Sequence, residues 1–185
     1  TRFVCDIGEF EKVRLKIGEQ NIELEKSPDG WKITRPVQDV ADNLVVEKFI
    51  EGIATESTQS TVVEGEDVDF SKFGLDHPKG EIELILNSGE TFQYSIGQQK
   101  NYQGDAYLRV GDEKKVMIVS STWFSRVEKT ALDFRDKRLM RRSNANTEKF
   151  VFEKGQERFE LVKKEGQWIS AQHPEWRLDQ NKVRE

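Results

Sequence analysis

Apolar and charged residues alternate with a period of two over much of this chain, in blocks separated by turn residues. Val13, Leu15 and Ile17 are interleaved with Arg14 and Lys16. Gly18-Glu19-Gln20 then turns the chain, and Ile22 and Leu24 alternate on the way back. Pro28-Asp29-Gly30 makes the next turn, and Trp31 and Ile33 open a third strand. Successive side chains of a strand point to opposite faces, so this pattern predicts a meander of half-buried antiparallel strands with charge on the wet face. A second set follows. Ile82, Leu84 and Leu86 alternate up to Asn87-Ser88-Gly89-Glu90, and Phe92, Tyr94 and Ile96 alternate after it. Residues 106–110 and 115–119 read as another hairpin around Gly111-Asp112-Glu113-Lys114. Gly97 to Asp105 reads as an exposed loop.

Two segments break the period. Asp39-Val40-Ala41-Asp42 offers N-cap oxygens, and Val45 or Val46, Phe49, Ile50 and Ile53 follow at helical spacing. These predict a helix over about 40–55. A shorter helix is expected over about 121–129, capped by Ser120 or Ser121, with Trp123, Phe124 and Val127 as its apolar stripe. The expected fold class is therefore α+β: antiparallel meanders with one main and one short helix.

Charged residues make up 34% of the 185 residues. That richness raises the question of disorder, but Leu, Ile, Val and Phe supply 26%, above the range of disordered chains. The formal net charge of −5 argues against a general nucleic-acid binder, which needs a basic field. No apolar run approaches the roughly 20 residues of a bilayer span. The single cysteine, Cys5, excludes an internal disulfide and reads as a buried thiol on a strand.

The end of the chain resembles its beginning. Residues 11–31 align without a gap on 148–168, an offset of 137. Identities fall at Glu11/Glu148, Lys12/Lys149, Gly18/Gly155, Glu23/Glu160, Leu24/Leu161, Lys26/Lys163 and Trp31/Trp168. Apolar character is shared at Val13/Phe150, Leu15/Phe152 and Ile22/Phe159. The reading is a reused supersecondary unit, a hairpin with Gly at its turn followed by a strand opened by an anchoring Trp. It predicts a hairpin plus strand over 148–170. The domain organisation expected is one complete unit over 1–142, then a connector and the opening hairpin of a second unit over 143–185. The ends of the chain read as those of a fragment.

Several pieces together resemble a known family: Trp31-Lys32-Ile33-Thr34-Arg35-Pro36, Val40-Ala41-Asp42, Phe73-Gly74-Leu75-Asp76-His77-Pro78, Ile96-Gly97, Ala106-Tyr107-Leu108-Arg109-Val110 and Phe134-Arg135-Asp136-Lys137-Arg138-Leu139. In order and spacing, over roughly residues 11–170, they are similar to the bacterial family catalogued as domain of unknown function 4340. The resemblance implies an envelope protein with a membrane anchor outside this fragment and an extracytoplasmic body. It also implies association with ABC-type transport or gliding-motility components. It carries over no catalytic residue.

The residues themselves offer little chemistry. His77 and His173 each precede Pro and have no metal-ligand partner at a suitable spacing. His77 reads as part of a turn in which Leu75 plugs the core. There is no phosphate-binding glycine loop and no nucleophile elbow. Glu64 to Asp69 is the nearest approach to a calcium loop, without the EF-hand pattern. No metal and no cofactor is expected. One charge cluster runs against the acidic balance, from Arg135 to Arg142. It reads as a helix end and connector, or as a partner or anion contact carried by Arg138, Arg141 and Arg142.

The function expected is a non-enzymatic extracytoplasmic interaction module with protein partners in a membrane-associated, ABC-type transport assembly. The alternative is a peptide- or glycan-binding domain, with Tyr102 and Trp176 as stacking surfaces. A hydrolase would need a nucleophile beside a base, and the two unpaired histidines and one buried cysteine do not supply it.

Overall fold

The computed structural model describes residues 9–138, 147–180 and 182–183. The chain divides into two compact units, Thr1–Lys137 and Arg138–Glu185. The fold is α+β, as the alternation predicts.

In the first unit, β1 (Phe10–Ile17), β2 (Gln20–Ser27), β3 (Gly30–Arg35) and β4 (Asp39–Val40) lead into helix α1 (Asn43–Ala54). Next come β5 (Ser60–Glu64), a 3₁₀ turn at Phe70–Phe73, β6 (Gly80–Leu86), β7 (Thr91–Lys100), β8 (Ala106–Val110) and β9 (Lys115–Val119). Helices α2 (Thr122–Val127) and α3 (Ala131–Phe134) close the unit. The strands form one nine-stranded sheet in the order β4-β3-β2-β1-β6-β7-β8-β9-β5, antiparallel throughout. The register Leu15↔Ile22 and Leu15↔Ile82 brings the apolar residues of three strands onto one face.

That inner face is covered by the helices. Helices α1 and α3 lie against β3, and α2 lies against β1, β6 and β7. Val13, Leu15, Leu24, Ile50, Ile53, Ile82, Leu84, Trp123 and Phe134 are all buried there. Phe49 meets Phe134 edge-on at 5.2 Å, and Tyr94 lies 5.5 Å from Trp123. Trp123, Phe124 and Val127 are core residues, as their spacing predicts.

Three boundaries differ from the sequence reading. Helix α1 begins at Asn43, because Asp39-Val40 adds to the sheet opposite Ile33 and Lys32. Its N-cap is Asp42, whose carboxylate accepts from the N–H groups of Leu44 and Val45. Ser121 stands at the N-cap position of α2 but makes no side-chain cap. The hydroxyl of Ser120 is instead used on Glu56, at 2.8 Å. Finally, β7 continues to Lys100, so the loop is confined to 101–105.

In the second unit, β10 (Lys149–Lys154), β11 (Glu157–Lys164) and β12 (Gln167–Ser170) form a three-stranded antiparallel sheet in that order. Its register matches that of β1-β2-β3 with every number raised by 137. Lys12↔Glu25 corresponds to Lys149↔Val162, and Leu24↔Ile33 to Leu161↔Ser170. Trp31 and Trp168 are both buried. The N–H of Val46 donates to the carbonyl of Asp42 at 3.0 Å, and Val183 does the same to Asp179 at 3.2 Å.

Candidate functional site

The outer face of the large sheet has two halves. Over β7 and β8 it is roofed by residues 70–78. Asp69 caps the 3₁₀ turn through Ser71, and Gly74 ends it in the left-handed conformation at φ 65°. The Arg109 guanidinium lies 4.3 Å from the Phe70 ring, and Phe73 meets Tyr107 edge-on at 5.0 Å. The roof is pinned by Gln98, whose N–H donates to the Gly74 carbonyl and whose side-chain amide donates to the His77 carbonyl at 2.7 Å. A Cβ on Gly97 would stand 2.2 Å from the Phe73 carbonyl oxygen, so the contact needs glycine. Leu75 is buried, as its place in the turn predicts, but beneath this roof beside Gly97 rather than in the main core. His77 contributes a backbone oxygen. Its imidazole is exposed, 4.0 Å from Asp76.

Over β1, β2 and β6 the outer face carries a ladder of paired charges. Arg14 bridges Glu23 at 3.0 Å and Glu83 at 2.9 Å. Lys12 pairs with Glu25 at 2.5 Å, and Lys16 with Glu81 at 3.5 Å. Burial alone would raise the Glu23 carboxyl. The hydrogen bond from Arg14 and the charges of Lys12, Arg14 and Arg35 hold it below the usual carboxylate range instead. A depression of about 410 Å³ lies here, lined by Arg14, Lys16, Glu23, Arg35, Glu81 and Glu83 among others. Its lining contains no aromatic ring and its charges of both signs are balanced, so it has the makings of neither a stacking pocket nor an anion cradle.

The loop 101–105 carries the most exposed aromatic side chain among the described residues of this unit. The Asn101 side-chain oxygen accepts from the N–H groups of Gln103 at 2.9 Å and Asp105 at 2.8 Å. Its amide nitrogen donates to the Asp105 carboxylate at 3.2 Å. Two backbone bonds, Asn101 N–H to the Asp105 carbonyl and Gly104 N–H to the Asn101 carbonyl, complete the turn. At its base the Lys100 ammonium sits 4.7 Å from the Phe124 ring. Tyr102 is carried at the tip, 95% exposed. Sequence reasoning singled out Tyr102 but missed Asn101, whose signal is the Asx-turn pattern Asn-x-Gln-Gly-Asp.

Trp176, the other expected stacking residue, belongs to the second unit. It stacks on His173 at 4.2 Å and lies 6.2 Å from Phe159. The His173 ring nitrogen meets Glu175 at 3.2 Å. Arg138 is exposed, whereas Arg141, Arg142 and Cys5 lie outside the described residues. Arg135, at the head of the cationic run, pairs with Asp39 at 2.5 Å. Among the described residues no three His, Cys, Asp or Glu are grouped to hold a metal ion, and no helix is long and apolar enough to cross a membrane.

The sequence model of the family described as "Domain of unknown function (DUF4340)" matches residues 31–185. The chain belongs to this family. The match opens at Trp31, the buried anchor of β3, and runs through the roof element and both units. No curated protein and no solved structure matches the chain. The Phe-Gly-Leu-Asp-x-Pro element at 73–78 is a packing device in this chain, in which Gly74 turns the backbone, Leu75 is buried and His77 lends a carbonyl.

Proposed function

We propose that this chain is a non-enzymatic interaction module on the extracytoplasmic side of a membrane, serving an ABC-type transport assembly. The assembly and the compartment come from the family resemblance. The observation that carries the binding reading is Tyr102. A loop stiffened by Asn101 and anchored through Lys100 holds a large amphipathic ring wholly in water. Among the described residues, nothing in the packing of its unit uses that ring. Tyrosine on a pre-ordered loop gives contact area at low entropic cost, which is why such residues dominate protein interfaces. Arg138, Arg141 and Arg142 form a second proposed contact with the partner or with anionic groups.

The test is site-specific photo-crosslinking. A photoreactive amino acid replaces Tyr102 in the full-length protein in its own cells, with a control at Glu19 on the β1–β2 turn. Crosslinks from position 102 to a transport-assembly subunit, and none from position 19, support the reading. Absence of any adduct from position 102 overturns it.

A further inference from the structure

We propose that the partner segment seated at the Tyr102 loop is acidic, with its carboxylates received between Lys79 and Lys100. This deepens the interaction reading of Tyr102 and rests on it. Lys79 stands just before β6, where its N–H donates to the Ile96 carbonyl at 2.8 Å, and Lys100 closes β7. Antiparallel pairing of Gly80 with Ile96 puts both lysines at one end of the sheet, the end that carries the 101–105 loop.

Their side chains converge. Both ammonium groups reach the ring of Phe124 on α2, Lys79 at 5.3 Å and Lys100 at 4.7 Å. Each cation is attracted to the ring, but the two repel one another beside it. One carboxylate, Glu128, answers them. It accepts from Lys79 at 2.6 Å, and that bond chiefly holds its carboxyl below the usual carboxylate range, with the charge of Lys100 adding to the effect. Among the described residues the Lys100 ammonium makes no hydrogen bond or ion pair, so its three donors have no protein acceptor. The other charges near the loop are engaged elsewhere. Asp105 is held by the Asn101 amide at 3.2 Å, and the Lys129 ammonium lies 5.9 Å from the Phe134 ring.

A carboxylate entering between the two ammonium groups accepts from both and relieves their repulsion. Tyr102, two residues beyond Lys100, then offers its exposed ring to the residues beside that carboxylate. Charge complementarity favours this end of the molecule. The chain as a whole carries −5, so an acidic segment is repelled elsewhere and steered to the paired lysines. A lipid surface fits less well. Attraction to anionic headgroups takes clusters of roughly 4–8 basic residues, and here two lysines stand beside a glutamate.

The test places the photoreactive residue at position 102 of the full-length protein, in membranes isolated from its own cells, and maps the adducts by mass spectrometry. The expected adduct lies in a protein segment with Asp or Glu beside the crosslinked residue. Lys79→Gln with Lys100→Gln is expected to lower its yield by about fivefold or more. Lys100→Gln alone, which keeps the Lys79–Glu128 bond, is expected to lower it by about threefold. Lys48→Gln with Lys114→Gln makes the same change in net charge at exposed positions, the second at the far end of β8, and is expected to leave the yield unchanged. An adduct that both lysine variants leave undiminished, or that falls equally in the control, overturns the acidic partner and leaves Tyr102 as a contact. So does an adduct that maps to phospholipid or to a segment without Asp or Glu. Absence of any adduct overturns both readings.

Discussion

The side-chain oxygen of Gln180 accepts a hydrogen bond of 2.8 Å from the backbone N–H of Trp168. The partner pair 137 positions earlier does the same, with Asn43 accepting from Trp31 at 2.7 Å. Each bond ties the strand bearing the anchoring Trp to the residue that follows an aspartate, Asp42 or Asp179. Each aspartate in turn accepts from the N–H three residues on, at Val45 and Lys182. Removing the acceptor leaves a half-buried N–H without its partner. Asn43→Ala is expected to cost about 1 kcal/mol in denaturant unfolding. Gln180→Ala is expected to speed amide exchange at Trp168 while leaving Trp31 unchanged. Hydrogen exchange resolved to single amides checks both.

The roof over β7 and β8 depends on the missing side chain of Gly97. Gly97→Ala forces its methyl group into the Phe73 carbonyl. Destabilisation of about 1–3 kcal/mol is expected from overpacking, with loss of the Gln98–Gly74 and Gln98–His77 bonds. Urea unfolding gives the magnitude. Near-ultraviolet circular dichroism reports whether Phe73 and Tyr107 have separated.

The charge ladder makes stability depend on pH. Glu23 is held below the ordinary carboxylate range, with burial opposed by Arg14 and Lys12. Glu160 is held low by its hydrogen bond from Lys149. A depressed carboxyl contributes stability above its unfolded pKa of about 4.3 and loses it as pH falls through its folded value. Stability should therefore decline on acidification from about pH 5 toward pH 3, and be flat above. Glu23→Gln should lower stability at pH 7 and flatten the acid decline. Urea midpoints measured across this range in low salt test the sign, and a decline of undiminished steepness in the variant contradicts it.

The cationic run is a proposed contact. Charge reversal at Arg138, Arg141 and Arg142 to Glu is expected to reduce binding to anionic vesicles or to the membrane assembly by about tenfold or more, without a shift in the urea midpoint of the first unit. Vesicle co-sedimentation reads the first quantity. Unchanged binding removes the contact.

Most strands were legible because their period of two is local. Leu15, Ile22 and Ile82 announce a buried face before their partners are known. The helix start was misplaced by three residues because Asp39-Val40 reads as a cap in isolation and becomes a strand only when β3 is beside it. Residues 97–100 carry no apolar alternation. They are strand because Lys100 pairs with Ala106 of β8 and the Gly74 carbonyl, over twenty residues away, accepts from the Gln98 N–H. The outer-face ladder was invisible for the same reason, since Arg14 and Glu83 meet only once β1 lies beside β6. Tyr102 could be named from sequence, but its rigidity depends on how Asn101 closes the loop.

Protection of the 101–105 loop by its partner is the most direct measure of the interaction reading. Amide hydrogen exchange is compared for the purified protein and for the full-length protein in the membranes of its own cells, where the proposed assembly would form. The account predicts slower exchange at 101–105 in the assembly, reversed by Tyr102→Ala, with exchange in β1 and β6 unchanged. Equal exchange at 101–105 in the two states contradicts it.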